Sequence, residues 1–150
     1  MNLRRLGGVL LALAVGFAVL RLWPRAEETP EEQIRALVAR CTEAAEKKDV
    51  AAIADALADD FKGPSGASRQ EVKQLLLGEL MRNPEKVVVL TQDLEVKVDS
   101  AITASLKGTF VFARGADTAV GASASRYQLD ARLAKRGDDW QFVSAEWRTR

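Results

Sequence analysis

Apolar residues change their spacing twice along this chain. Residues 6–20 form an uncharged run, fenced by Arg4 and Arg5 before it and Arg21 after it. From Thr29 the spacing becomes helical, with Ile34, Leu37, Val38, Cys41 and Ala45 on one stripe. Thr29-Pro30-Glu31-Glu32 opens that helix with a capping threonine, a first-turn proline and a capping-box glutamate. Asp49 can cap a second helix, whose stripe is Val50, Ile53, Ala54, Leu57 and Phe61, broken by Gly63-Pro64-Ser65-Gly66. Ser68-Arg69-Gln70-Glu71 is another capping box before Val72, Leu75, Leu76 and Leu80, and Asn83-Pro84 ends the third helix.

After Pro84 the period falls to two. Residues 87–90 are a short apolar run; Leu94, Val96 and Val98 then alternate with Glu95, Lys97 and Asp99. Ile102, Ala104, Leu106, Phe110 and Phe112 mark a second strand, and Tyr127, Leu129, Ala131 and Leu133 a third. Gly137 sits in a hairpin turn leading to Trp140, Phe142 and Val143, in a last strand that runs to Trp147. Residues 115–125, rich in Gly, Ala and Ser, read as a flexible connection. Helices first and an antiparallel meander after predict an α+β domain over residues 30–150, a linker at 24–29, and a membrane anchor or signal segment at 1–23.

Fifteen helical residues span only about 22 Å, short of a hydrocarbon core of about 30 Å. Leu3, Leu22 and Trp23 lengthen the run, and the flanking arginines can snorkel. A cleaved secretory peptide is the competing reading, with Gly16-Phe17-Ala18 a passable cleavage site. The expectation is a single-pass inner-membrane protein with its body outside the cytosol; the alternative is a secreted or periplasmic domain.

At 150 residues there is room for one domain. Four Arg and no acid in residues 1–26 leave 18 basic and 21 acidic residues for the body, which argues against a nucleic-acid partner. The absence of His removes the commonest metal ligand and general base. One Cys excludes an internal disulfide or a paired-cysteine zinc site, and no metal or cofactor is expected.

The segment EEQIRALVARCTEAAEKKDVAAIADALADDF, residues 31–61, resembles the opening of the nuclear transport factor 2-like superfamily in its SnoaL-like branch. YQLDARLAKRGDDWQFVSAEW resembles that family's closing hairpin. The likeness covers residues 30–148. It implies a cone, in which a curved antiparallel sheet wraps around three N-terminal helices and leaves a pocket at the wide end. It also implies dimers formed through the outer sheet face.

Steroid isomerases of the superfamily use a tyrosine in the first helix; here the single tyrosine is Tyr127, far downstream. Its dehydratases rely on His, which is missing. Its epoxide hydrolases use an Asp-Arg-Asp set, and Asp130 and Arg132 fit that only in part. Both alternate with Tyr127, Leu129, Ala131 and Leu133, so they read as outward-facing, cross-strand ion-pairing residues. Simple alternation puts Glu146 on the face of Trp140 and Phe142, where a desolvated carboxylate could act as general acid or base; the plainer reading is a wet rim. Asp59-Asp60 reads as a solvated turn and Cys41 as a small core hydrophobe.

The candidate catalytic residues are therefore Glu146 and Asp130, and the candidate ligand wall is Tyr127, Phe110, Trp140 and Phe142. The same alternation places Val111, Ala113, Val143, Ala145 and Trp147 on the outer face, an apolar patch suited to a homodimer or a protein partner. The reading is a membrane-tethered, non-catalytic domain that binds a protein partner or a small apolar ligand. The alternative is a small-molecule isomerase or hydrolase using a pocket carboxylate.

Overall fold

A computed structural model describes Ala14, Val15, Ala18 and residues 27–82, 85–115 and 124–150. The expected anchor, residues 1–23, lies outside these apart from those three positions, and the connection expected at 115–125 falls mostly outside as well. No helix among the described residues is long and apolar enough to cross a membrane.

Helix α1 (Pro30–Glu46) begins as its sequence predicts. Glu32 N–H donates to Thr29 Oγ1 at 3.2 Å, and Thr29 N–H donates back to Glu32 Oε2 at 3.1 Å. Two of the helix's orphan donors are thereby satisfied. Its stripe packs on the sheet: Ile34, Leu37 and Val38 are buried, with Cys41 and Ala45 against them. Helix α2 (Val50–Asp55) is capped by Asp49, whose Oδ1 accepts from Ala52 N–H at 3.1 Å.

The helical reading fails beyond Ala56, where strand β1 (Leu57–Lys62) replaces the last turns expected of the second helix. β1 runs parallel to β5 (Asp139–Thr149), with Leu57 opposite Phe142 and Phe142 N–H donating to Ala56 O at 2.9 Å. Leu57 and Phe61 are buried either way, so their spacing could not distinguish the two forms. Available ladder partners on β5 decided between them. The sheet is consequently mixed, not antiparallel throughout.

Helix α3 (Arg69–Arg82) is opened by the Ser68–Glu71 box at 2.7 and 3.2 Å. Its expected stripe is only partly used. Val72 is buried and Leu76 packs against the core, while Leu75 is 60% exposed.

Strands β2 (Val87–Val98), β3 (Thr103–Arg114) and β4 (Ala124–Arg136) complete a sheet of order β1-β5-β4-β3-β2. Gly137 makes the tight β4–β5 turn at φ +64°. Two irregularities interrupt the ladders. On β2 the register shifts between Gln92 and Glu95, around Asp93 at φ 50°. On β5, Arg132 faces Ser144 while the next residue of β4, Leu133, faces Phe142, so Val143 has no partner on β4. Bulges bend and twist a sheet, and this one curves over α1, which also closes its open edge. Val89 N–H on β2 donates to Glu46 Oε1 at 2.9 Å, and Arg35 donates to Leu94 O at 3.3 Å. The core between helices and sheet includes Ile34, Phe61, Leu106, Leu133 and Trp140, and no polar residue is buried among the described residues.

Truncating Leu37 to Ala should cost about 2–5 kcal/mol of stability, because it empties the α1–sheet seam. Urea unfolding measures this, and a loss of a few tenths would show the seam to be loose. A second outcome concerns Cys41. Burial pushes its thiol up from 9.0 to about 11, against a smaller opposing pull from Arg40. The folded state therefore holds the thiol proton more tightly than the unfolded chain does. That contribution to stability is full below pH 9 and drains away as pH rises toward 11. Wild type should lose more stability than Cys41→Ala over this window, a difference in which the other titrating groups cancel. Parallel curves would refute it.

Candidate functional site

The two faces of the sheet separate the candidate residues into two groups. On the face toward the helices, Tyr127 of β4 lies opposite Phe110 of β3 and Thr149 of β5. Its ring meets Phe112 edge to face, with centroids 5.5 Å apart and planes at 89°. The next inward position along β4 is Leu129, flanked by Gly108 on one side and Trp147 on the other. A Cβ on Gly108 would stand 3.1 Å from Leu94 Cδ1, so the missing side chain makes room for Leu94. Tyr127, Leu129 and Phe112 are half-buried, and Trp147 is 36% exposed. Together they form an aromatic wall that solvent reaches in part.

Of the four expected wall residues, Tyr127 and Phe110 are neighbours on this wall. Trp140 and Phe142 are not with them. They lie opposite Lys135 and Leu133, toward the other end of β4; Tyr127 and Lys135 are eight residues apart, about 26 Å of strand. Trp140 is buried, with its indole N–H donating to Gln33 Oε1 at 3.0 Å, and Phe142 is a core residue.

Trp147 reaches this wall because of Val143. The unpaired residue reverses the alternation of β5, so Ala145 joins the core and Trp147 follows it inward, opposite Leu129. The expectation that both lie on the outer face is thus corrected. Val111 and Ala113 do occupy the outer face, paired across to Arg126 and Ala124, and both are buried. Between them and β5, however, β4 presents Arg126, Gln128, Asp130 and Arg132, so the outer apolar patch is not continuous.

The same reversal moves Glu146 outward. It is exposed and lies directly opposite Asp130, away from Trp140 and Phe142. Both candidate carboxylates thus come together, but on the opposite face from the aromatic wall. Asp130 also faces Lys107 across β3, with Lys107 Nζ 4.0 Å from Oδ1 and Arg148 Nη2 3.8 Å from Oδ2. Both separations exceed a hydrogen bond. Arg132 lies opposite Ser105 and Ser144. These side chains line a shallow depression of about 430 Å³.

Asp59 and Asp60 belong to β1, where Arg69 donates to Asp59 at 3.2 Å and Arg136 grips Asp60 with contacts of 2.7 and 3.0 Å. The hydrogen bond from Arg136 holds the Asp60 carboxyl below its ordinary range. Arg136 thus ties β1 to the end of β4, and Arg69 ties it to the start of α3. Among the described residues no three His, Cys, Asp or Glu side chains converge on a metal position.

No protein-family model matches the chain, and no curated protein sequence matches it. Solved structures do. A scytalone dehydratase-like protein from Novosphingobium aromaticivorans superposes with a TM-score of 0.67 at 15% identity, over 79% of this chain and 82% of that one. A protein of unknown function from Pseudomonas putida, described as nuclear transport factor 2-like, gives 0.65 at 18% identity, over 76% and 82%. The hexachlorocyclohexane dehydrochlorinase LinA-type3 from Novosphingobium barchaimii gives 0.61 at 13% identity, over 78% and 84%. At these identities the likeness is one of fold, and that fold is the nuclear transport factor 2-like, cystatin-like one.

Proposed function

We propose that this chain is a membrane-tethered, non-catalytic binding domain whose aromatic wall takes a small apolar ligand. The observation that carries the reading is the inward turn of Trp147 opposite Leu129, on the same face of the sheet as the Phe112–Tyr127 ring pair. A partly exposed aromatic group at the end of a packed core offers apolar area with one polar handle, the Tyr127 hydroxyl. Two fold neighbours named as a dehydratase-like protein and a dehydrochlorinase are in keeping with small-molecule binding on this scaffold. The alternative of an isomerase or hydrolase working through Glu146 or Asp130 has the chemistry on the wrong face, since both carboxylates project away from the wall.

The tether is residues 1–23, with Arg4 and Arg5 kept in the cytosol and the domain held on the other side of the inner membrane. A protein partner or a second copy of the chain would seat on the outer sheet face beside the half-buried bulge residue Val143; Val111 is already buried and adds no exposed area to it. Trp147 would take no part in that contact.

Titration with anilinonaphthalene sulfonate should show saturable binding with energy transfer from tryptophan. Trp147→Ala should weaken it up to about tenfold, in line with the roughly 0.5–1.5 kcal/mol that an aromatic contact carries. Unchanged binding would remove Trp147 from the site. Alkaline carbonate washing should leave the full-length protein in the membrane pellet; its release at full length would defeat the tether.

A further inference from the structure

The outer face of the sheet carries a row of charges that the aromatic wall does not explain. Strand register aligns Glu146, Asp130, Lys107 and Glu95 across β5, β4, β3 and β2. One row further along β4, Arg132 stands between Ser105 and Ser144. Such rows are separated by two residues of strand, about 6.7 Å.

Charged rows on a solvated sheet are ordinary when each member pairs with its neighbour. Here pairing is incomplete in three places. Asp130 Oδ1 is buried and has no hydrogen-bond partner, and its cations stop at 3.8 and 4.0 Å. Among the described residues Glu146 makes no ion pair, and neither does Arg132, although a diagonal of 7–8 Å is within reach of long side chains. All three line one shallow, open depression of about 430 Å³. An acceptor without a donor, an anion without a cation and a cation without an anion surround the same space.

The geometry points to a second binding site here, for a small zwitterion of amino-acid or dipeptide size. Its ammonium group sits between the exposed Glu146 carboxylate and the accessible part of the Asp130 carboxylate, whose side chain is 37% exposed. Its carboxylate reaches Arg132, one row away, with the Ser144 and Ser105 hydroxyls beside it. A neutral polyol would leave the separated charges uncompensated, and a simple cation would leave Arg132 unused and meet Lys107 and Arg148 at the rim. This site is independent of the apolar one, since the two occupy opposite faces of the sheet.

Calorimetric titration of the full-length protein in detergent with alanine, γ-aminobutyrate and alanyl-alanine varies the spacing between the two charges. At least one should bind saturably. Acetylating its amine or amidating its carboxylate should weaken binding at least tenfold, and so should Asp130→Asn and Arg132→Gln. Arg132 is exposed, so its replacement tests the site even if Asp130→Asn unfolds the domain. The proposal is overturned if none of the three binds, if the capped ligands bind equally well, or if glucose binds in their place. Trp147→Ala should leave zwitterion binding unchanged; a parallel loss at both sites would show that the two faces are not separate.

Discussion

Val143 is the extra residue on which the arrangement of both faces depends. A strand's side chains alternate strictly, so one unpaired residue exchanges the faces of everything beyond it. Before the bulge, Trp140 and Phe142 point into the core; after it, Ala145 and Trp147 do. The exchange keeps the inward positions apolar along nearly the whole strand. It also sends Ser144 and Glu146 outward, opposite Arg132 and Asp130. One local irregularity thereby gathers an aromatic group on one face and a polar depression on the other.

The second irregularity works in the same way on β2. Val87 and Val89 are the buried positions before Asp93, while Leu94 and Val96 pack against the core after it. Without the shift, either Val89 or Leu94 would face water. The inward turn of Leu94 then meets Gly108, whose lack of a side chain leaves the space that Leu94 fills. Helix α1 completes that edge with Glu46 and Arg35, which satisfy backbone groups that an exposed edge strand would otherwise offer to other chains. Core, curvature and edge protection are therefore one linked solution.

The two faces of the sheet differ sharply in burial. Apolar contacts on the inner face gain from excluding water, and no buried charge among the described residues competes with them. On the outer face the acids and bases stay partly hydrated, which lets Asp130 and Glu146 stand opposite each other without a shared partner. The candidate carboxylates Asp130 and Glu146 are separated from Trp147 and Tyr127 by the thickness of the sheet.

Much of this was readable from residue order. Capping at Thr29, Asp49 and Ser68, the Gly137 turn, the core stripe of α1 and the outward direction of Asp130 and Arg132 all follow from short-range rules, because they depend on neighbours a few residues away. The parity change from Phe142 to Ala145 and Trp147 was also visible, but it has two solutions: a strand apolar on both faces, or a single-faced strand with a bulge. Only pairing with β4, whose alternation is unbroken, selects the second. In the same way residues 57–61 suit helix and strand alike until β5 offers its edge, and the distance between Tyr127 and Trp140 appears only when both strands are laid side by side. Local sequence determined which residues are apolar and where elements begin; long-range hydrogen bonding decided which face each residue takes, because register is a property of two strands and not of one.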